Sequence, residues 1–299
     1  MSRAATQAVH AKLGASDGFY RELGREHSAL FVEGGRTLLV TFENLDHVAD
    51  RGDDRLPWGY SFVTGQGWSL LGMMAHGWTW YRDEHVYDFF DELAAGGFFN
   101  RFDQVVFYGG SMGAYAAATF ARAAPGATVI AISPQATLSR DIAPWETRYH
   151  KVWKRDFGRN SPYSYAPDGA KTAKQVYLFY DPSSPLDAMH AALFQGDNIS
   201  RLYCRRMGHR IASLWLQMGI LKDVVTACVD GSLSRRDFYR ALRARRQSSR
   251  YERELLEAVL KRNRPALTRR LCRAVLARRR GPRFRRALAE AEARLKGDA

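Results

Sequence analysis

Cysteine is scarce, with three in 299 residues: Cys204, Cys228 and Cys272. They form neither a CxxC pair nor a metal-ligand spacing. That excludes a local thiol redox couple and reads as unpaired thiols in a reducing compartment. Long apolar runs are missing too. The N-terminal MSRAATQAVHAKLGASDGFY has no apolar core of the kind a secretory signal needs. The longest weakly polar stretch, Val105 to Ala121, carries Gly, Ser and Thr, ends at Arg122, and falls short of a spanning helix. A cytoplasmic protein without a transmembrane segment is the expectation. The eight histidines contain no HxxxH or HExxH pair, and neither GxxxxGK nor GxGxxG occurs. No catalytic metal and no nucleotide cofactor are expected.

What is present is a globular composition, 46% hydrophobic and 12% aromatic, in a chain long enough for a full core. The net charge of +14 is segregated. Residues 231–299 hold 22 basic and 7 acidic side chains, whereas residues 1–230 are close to neutral. The spacing of Leu255, Leu256, Val259 and Leu260, and of Leu267, Leu271 and Val275, predicts amphipathic helices in this basic tail. Asn263-Arg264-Pro265 and Gly281-Pro282 mark the breaks. Two units follow: a body over 1–230 and an arginine-rich helical module over 231–299.

The body alternates strands and helices. Residues 1–24 read as weakly helical. Ser28 to Val32 is a short strand, which Gly34-Gly35 turn into Thr37 to Phe42. Further strands are expected at Trp68 to Ala75, Gln104 to Tyr108, Thr128 to Ile132, Gln175 to Tyr180 and Ile199 to Cys204. Helices are expected at Asp83 to Ala94 and Ala114 to Ala123. Continuous apolar strands separated by helices imply a mostly parallel sheet covered on both faces, an α/β doubly wound fold.

The chemistry gathers at the ends of these strands. Gly109-Gly110-Ser111-Met112-Gly113 is a G-x-S-x-G pentapeptide between a buried-type strand and a small-residue helix. That context suits a strained turn presenting a serine at a helix N-terminus, where backbone N–H groups favour an oxyanion. A nucleophilic serine needs a base oriented by an acid. Strand QVYLFY runs into Asp181, which leaves the same sheet edge as Ser111, and strand ISRLYC is followed by Arg205-Arg206-Met207-Gly208-His209. The order Ser111, Asp181, His209 is that of a triad. Asp181 is taken as the acid, and Asp187 as the cap of a helix over Ala188 to Phe194.

Over residues 28–219 these features resemble the serine-nucleophile branch of the α/β-hydrolase superfamily. They are strand–GGSMG–helix, strand–YDPSSPLD and strand–RMGHR, in that order. The resemblance implies Ser111 as nucleophile, His209 as general base and acid, and Asp181 as its orienting carboxylate. It also implies oxyanion donors at the Met112 N–H and near Asn44 or Leu45, although Phe42-Glu43-Asn44-Leu45 stands where the family carries an HG-type signature. The implied activity is hydrolysis of an acyl ester or related bond through an acyl-enzyme. Acyl transfer by the same three residues is an alternative, as is a silent scaffold that binds an anionic partner through the tail.

The remaining expectations concern substrate and partners. Residues 134–174 are placed to form a cap. Trp145, Tyr149, Trp153, Tyr163 and Tyr165 there either line a pocket for a small-molecule or glycan acyl substrate or pack the cap to the body. His76 and Trp78 follow a strand on the edge that carries Ser111 and are candidate substrate contacts. His190 is expected to face outward or to cap locally. The arginine cluster suits an anionic partner, but sequence-specific DNA reading has no motif here.

Overall fold

The computed structural model describes residues 18–43, 56–158 and 160–297. Eight strands form one sheet: β1 (Gly18–Leu23), β2 (His27–Val32), β3 (Thr37–Phe42), β4 (Ser69–Ala75), β5 (Gln104–Gly110), β6 (Thr128–Ile132), β7 (Gln175–Tyr180) and β8 (Ile199–Tyr203). Their order is β1-β2-β4-β3-β5-β6-β7-β8. From β4 onward every neighbour is parallel, while β1 and β2 are antiparallel additions at one edge. The α/β, doubly wound architecture expected from the sequence is the one found.

One local expectation is corrected. Gly18–Leu23 is a strand, not part of a helix; residues 1–17 lie outside the described residues. The left-handed Gly24 (φ 66°) turns β1 back, so that Gly18 pairs with Val32 and Leu23 with His27. Pairing with a neighbouring strand outweighs weak local helix propensity. Gly34-Gly35 carry the chain from β2 into β3 as expected, with β4 lying between the two strands in the sheet.

Alternation along the central strand explains the double covering. Val105 and Phe107 of β5 face one core, while Val106 and Tyr108 face the other. The second core takes Val63 from α1 (Tyr60–Gly65). The first takes Val86, Phe89 and Phe90 from α2 (Glu84–Ala95), whose N-cap Asp83 accepts the His85 N–H. It also takes α3 (Met112–Phe120), every residue of which is buried. Phe120 of α3 stacks on Phe90 with ring centroids 4.5 Å apart. Within 134–174 the chain is mostly irregular and packs against the body. Arg82 donates to the carbonyls of Asp156 and Pro162, and Tyr163 stacks on Phe120 at 4.6 Å. Its short α4 (Ala166–Ala170) crosses α3 so closely that a Cβ on Gly169 would lie 2.3 Å from the Ala118 carbonyl oxygen.

Beyond β7 come α5 (Pro185–Leu193), then after β8 α6 (Ile211–Gln217), α7 (Leu221–Val229) and α8 (Arg235–Ala241). Phe238 and Leu242 bury in the body's second core, and the Tyr203 N–H on the outer edge of β8 donates to the Tyr239 hydroxyl at 3.1 Å. The packing changes near Ser248. The helices α9 (Ser249–Lys261), α10 (Pro265–Leu276) and α11 (Pro282–Gly297) share a separate small core of Leu256, Cys272, Val275, Phe284 and Ala287. Several arginines pair with glutamates of the same bundle, as Arg278 and Arg279 do with buried Glu252. All three cysteines are free and buried. Among the described residues no single helix is long and apolar enough to cross a membrane.

The meeting of β5, α3 and β3 leaves no room for side chains. A Cβ on Gly113 would lie 2.3 Å from the Phe42 carbonyl oxygen, whereas one on Gly65 would meet nothing within 4 Å. Gly113→Ala should lose about 3 kcal/mol of stability in urea unfolding. Gly65→Ala should stay within about 0.5 kcal/mol of the parent.

Candidate active site

The turn between β5 and α3 holds Ser111 at φ 53° and ψ −119°, a conformation few non-glycine residues adopt. Its N–H is tied to the Ile132 carbonyl at 2.8 Å, and its own carbonyl accepts from Ala114 and Tyr115 as α3 begins. Gly109 lies so close to Gly113 that a Cβ would come within 2.1 Å of the Gly113 carbonyl. The glycines therefore let the strand and helix close on the serine, and the Ser111 side chain projects from the turn. As the first residue of α3, Met112 has an N–H with no acceptor inside the helix. Asn44 and Leu45 lie outside the described residues.

His209 follows left-handed Gly208 (φ 66°) in the loop between β8 and α6. Its Nε2 is 2.8 Å from Ser111 Oγ, and its Nδ1 is 2.9 Å from Asp187 Oδ1. The structure thus brings Ser111 and His209 together across 98 residues. With Nδ1–H donating to the carboxylate, Nε2 is left to accept the serine proton.

The carboxylate against His209 is Asp187, not Asp181, which corrects the sequence expectation. Pro185 opens α5 earlier than a helix from Ala188 would begin, since proline suits the first helical position. That puts Asp187 inside the first turn, where its side chain is buried and aimed at the histidine rather than capping the helix. Asp181, 2% exposed, accepts the N–H groups of Ser183 and Gly208 at 2.7 and 2.8 Å. It shapes the loop that carries His209.

A second set of groups comes from residues 146–149, and sequence reasoning missed most of it. Arg148 donates from Nη1 to Asp187 Oδ1 at 2.7 Å and grips Glu146 through Nε and Nη2, the shortest contact being 2.6 Å. Glu146 Oε2 also accepts from His190 Nε2 at 3.0 Å, while His190 Nδ1 accepts the Ala136 N–H. His190 is therefore buried, not outward-facing. Burial lowers its pKa from the ordinary histidine value, partly opposed by Glu146. The Tyr149 hydroxyl is 3.1 Å from His209 Nε2. Its ring packs on Trp80 at 4.7 Å, and Trp80 donates its indole N–H to Gln135. The density of charged and aromatic residues in Trp145-Glu146-Thr147-Arg148-Tyr149 was the one available signal, and it carries no periodicity.

The other candidates take different places. Trp145 is half-buried against His190, with centroids 4.5 Å apart. His76 is exposed and its N–H donates to the Glu26 carbonyl. Trp78 is 42% exposed with the Lys151 ammonium over its ring. Among the described residues no group of three or more His, Cys, Asp or Glu is arranged to hold a metal ion.

The sequence matches no family model, and no curated protein matches it. Solved structures similar to it include an esterase of Pyrobaculum calidifontis, at 10% identity and TM-score 0.47, over 78% of this chain and 92% of that one. An esterase of Pyrococcus furiosus is similar at 15% identity and TM-score 0.45, over 68% and 86%. The capsule O-acetyltransferase of Neisseria meningitidis serogroup A is similar at 14% identity and TM-score 0.45, over 69% and 93%. These are likenesses of general arrangement. Among the described residues the topology, eight strands with only the first two antiparallel and helices on both faces, is α/β-hydrolase-like.

Burial opposes the charge of both buried carboxylates, but their partners prevail. His209 and Arg148 hold Asp187 at about 2, below its ordinary 3.8, and His190 and Arg148 hold Glu146 at about 2, below its ordinary 4.5. A carboxyl depressed in the folded state contributes stability above its unfolded pKa and loses that contribution as pH falls through its folded one. This part of the stability should therefore be level above about pH 4.5 and drain away towards about pH 2. In thermal unfolding across that window, Glu146→Gln should be less stable than the parent at neutral pH and decline less steeply in acid.

Proposed function

We propose that this chain is a serine-dependent enzyme acting on an acyl ester or related acyl bond. In this reading Ser111 is the nucleophile, His209 the base and acid, and Asp187 the orienting carboxylate. The observation that carries the reading is the run from Ser111 Oγ through His209 to Asp187, with both links under 3 Å, at a serine held in a strained turn.

The chemistry follows from those contacts. Ser111 Oγ attacks the acyl carbon as its proton passes to His209 Nε2, and Asp187 stabilises the imidazolium through Nδ1–H. The Met112 N–H, at the positive end of α3, is placed for the developing oxyanion. The bond to the leaving group breaks, its electron pair goes with the departing atom, and Nε2–H supplies the proton. An acceptor then gives its proton to Nε2 and attacks the acyl carbon; the acyl–Oγ bond breaks, its electron pair goes to Oγ, and Nε2 returns the proton to restore Ser111. Water as acceptor makes the protein a hydrolase, the main reading; an alcohol in the same place makes it an acyltransferase. Each guanidinium nitrogen of Arg148 donates to Glu146 or Asp187, so its role in this reading is to fix the acid.

Intact-mass labelling with a fluorophosphonate tests this without knowledge of the substrate. The wild type should take one label and Ser111→Ala none. Asp187→Asn should slow labelling on the order of 10²- to 10⁴-fold, because it removes the charge and the tautomer that orient the base. Asp181→Asn, which only loosens the loop, should cost far less. An unlabelled but folded wild type sinks the proposal, and a larger loss for Asp181→Asn returns the acid to that residue.

A further inference from the structure

His209 Nε2 is the atom that hands a proton to whatever leaves the acyl carbon. A group within hydrogen-bond distance of that nitrogen, other than the nucleophile itself, stands beside the path of the departing atom. Tyr149 is such a group. Its hydroxyl lies 3.1 Å from Nε2, and the Ser111 hydroxyl is near enough to act on the phenol.

Its position is fixed rather than visiting. Tyr149 is 6% exposed, its ring lies against Trp80, and the Arg148 guanidinium sits 5.1 Å from the ring centre. Arg148 is in turn held by Glu146 and Asp187. Burial pushes the phenol up to about 12, against the pull of Arg148, so the group is neutral and carries an O–H to donate. The lone pair of Nε2 is already engaged by Ser111 at the shorter distance of 2.8 Å. Tyr149 therefore offers a donor that the resting pair does not require.

Resting on the acyl-serine reading above, we propose that Tyr149 is a further catalytic residue whose hydroxyl hydrogen-bonds the oxygen that leaves the acyl carbon. As the carbon–oxygen bond breaks, its electron pair goes to the departing oxygen and the Nε2 proton follows. Tyr149 holds that oxygen through its own O–H and keeps its proton throughout. In the second half-reaction the acceptor oxygen occupies the same place, accepts from Tyr149, and loses its proton to Nε2 as it attacks. Such a donor matters most when the departing oxygen is basic. Such a donor therefore narrows the advantage of esters with a good leaving group over esters of ordinary alcohols.

The test uses the full chain and covalent probes that need no natural substrate: a fluorophosphonate, and a series of aryl phosphonate esters of rising phenol pKa. Tyr149→Phe keeps the ring and removes only the hydroxyl. Relative to wild type, its labelling should fall about 10- to 100-fold further with the most basic phenol than with fluoride as leaving group. Should Tyr149→Phe fail to fold, an ortho-fluorinated tyrosine at position 149, a stronger donor, should instead flatten the dependence on leaving-group pKa. A uniform loss, no loss, or faster labelling of Tyr149→Phe overturns the assignment of Tyr149 while leaving Ser111 in place. Failure of the wild type to label with any probe overturns the acyl-serine reading itself.

Discussion

Three pieces of backbone, the end of β3, the end of β5 and the start of α3, are forced into contact, and the rest of the site depends on that closeness. Gly113 lies against the Phe42 carbonyl and Gly109 against Gly113, at separations that any Cβ would violate. The chain relieves the crowding by lifting the intervening residue into a left-handed conformation, and that residue is Ser111. The strain is maintained because α3 is buried on all sides and cannot back away. The position of the serine hydroxyl is thus a property of the core rather than of a surface loop.

The same economy appears in the charges. Asp187 serves two donors with one oxygen: His209 Nδ1 and Arg148 both reach Oδ1. The Arg148 guanidinium would be a costly group to place beside a histidine if Glu146 did not neutralise it, and Glu146 is itself buried and tied to His190. Segment 134–174 therefore reaches the histidine twice, through Arg148 at the acid side and through Tyr149 at the serine side.

How much of this was legible in the sequence depends on the range of the interaction involved. The parallel strands and the Ser111 turn were readable because apolar runs and the G-x-S-x-G spacing are local patterns. His209 was readable because it follows a glycine in the loop after β8. The carboxylate beside His209 was misread because Asp181 and Asp187 both follow the same strand, and the choice rests on where Pro185 starts α5. Strand β1 was misread because its structure comes from pairing with β2. The Glu146–Arg148–His190 set left no periodic signal, only a local density of charged and aromatic residues, since it is assembled from irregular backbone and a helix 44 residues apart.

The bond between the Tyr203 N–H and the Tyr239 hydroxyl has a consequence for how this protein behaves in a crowd of its own copies. An outermost parallel strand leaves alternate amides facing outward, a template for adding a strand from another molecule. At β8 one of those amides is already satisfied by α8, whose Phe238 is sunk in the core beneath it. The first helix of the basic tail thus occupies part of the margin that another strand would need, and brings a run of arginines to it. A chain that ended after α7 would keep the site residues and expose the sheet margin.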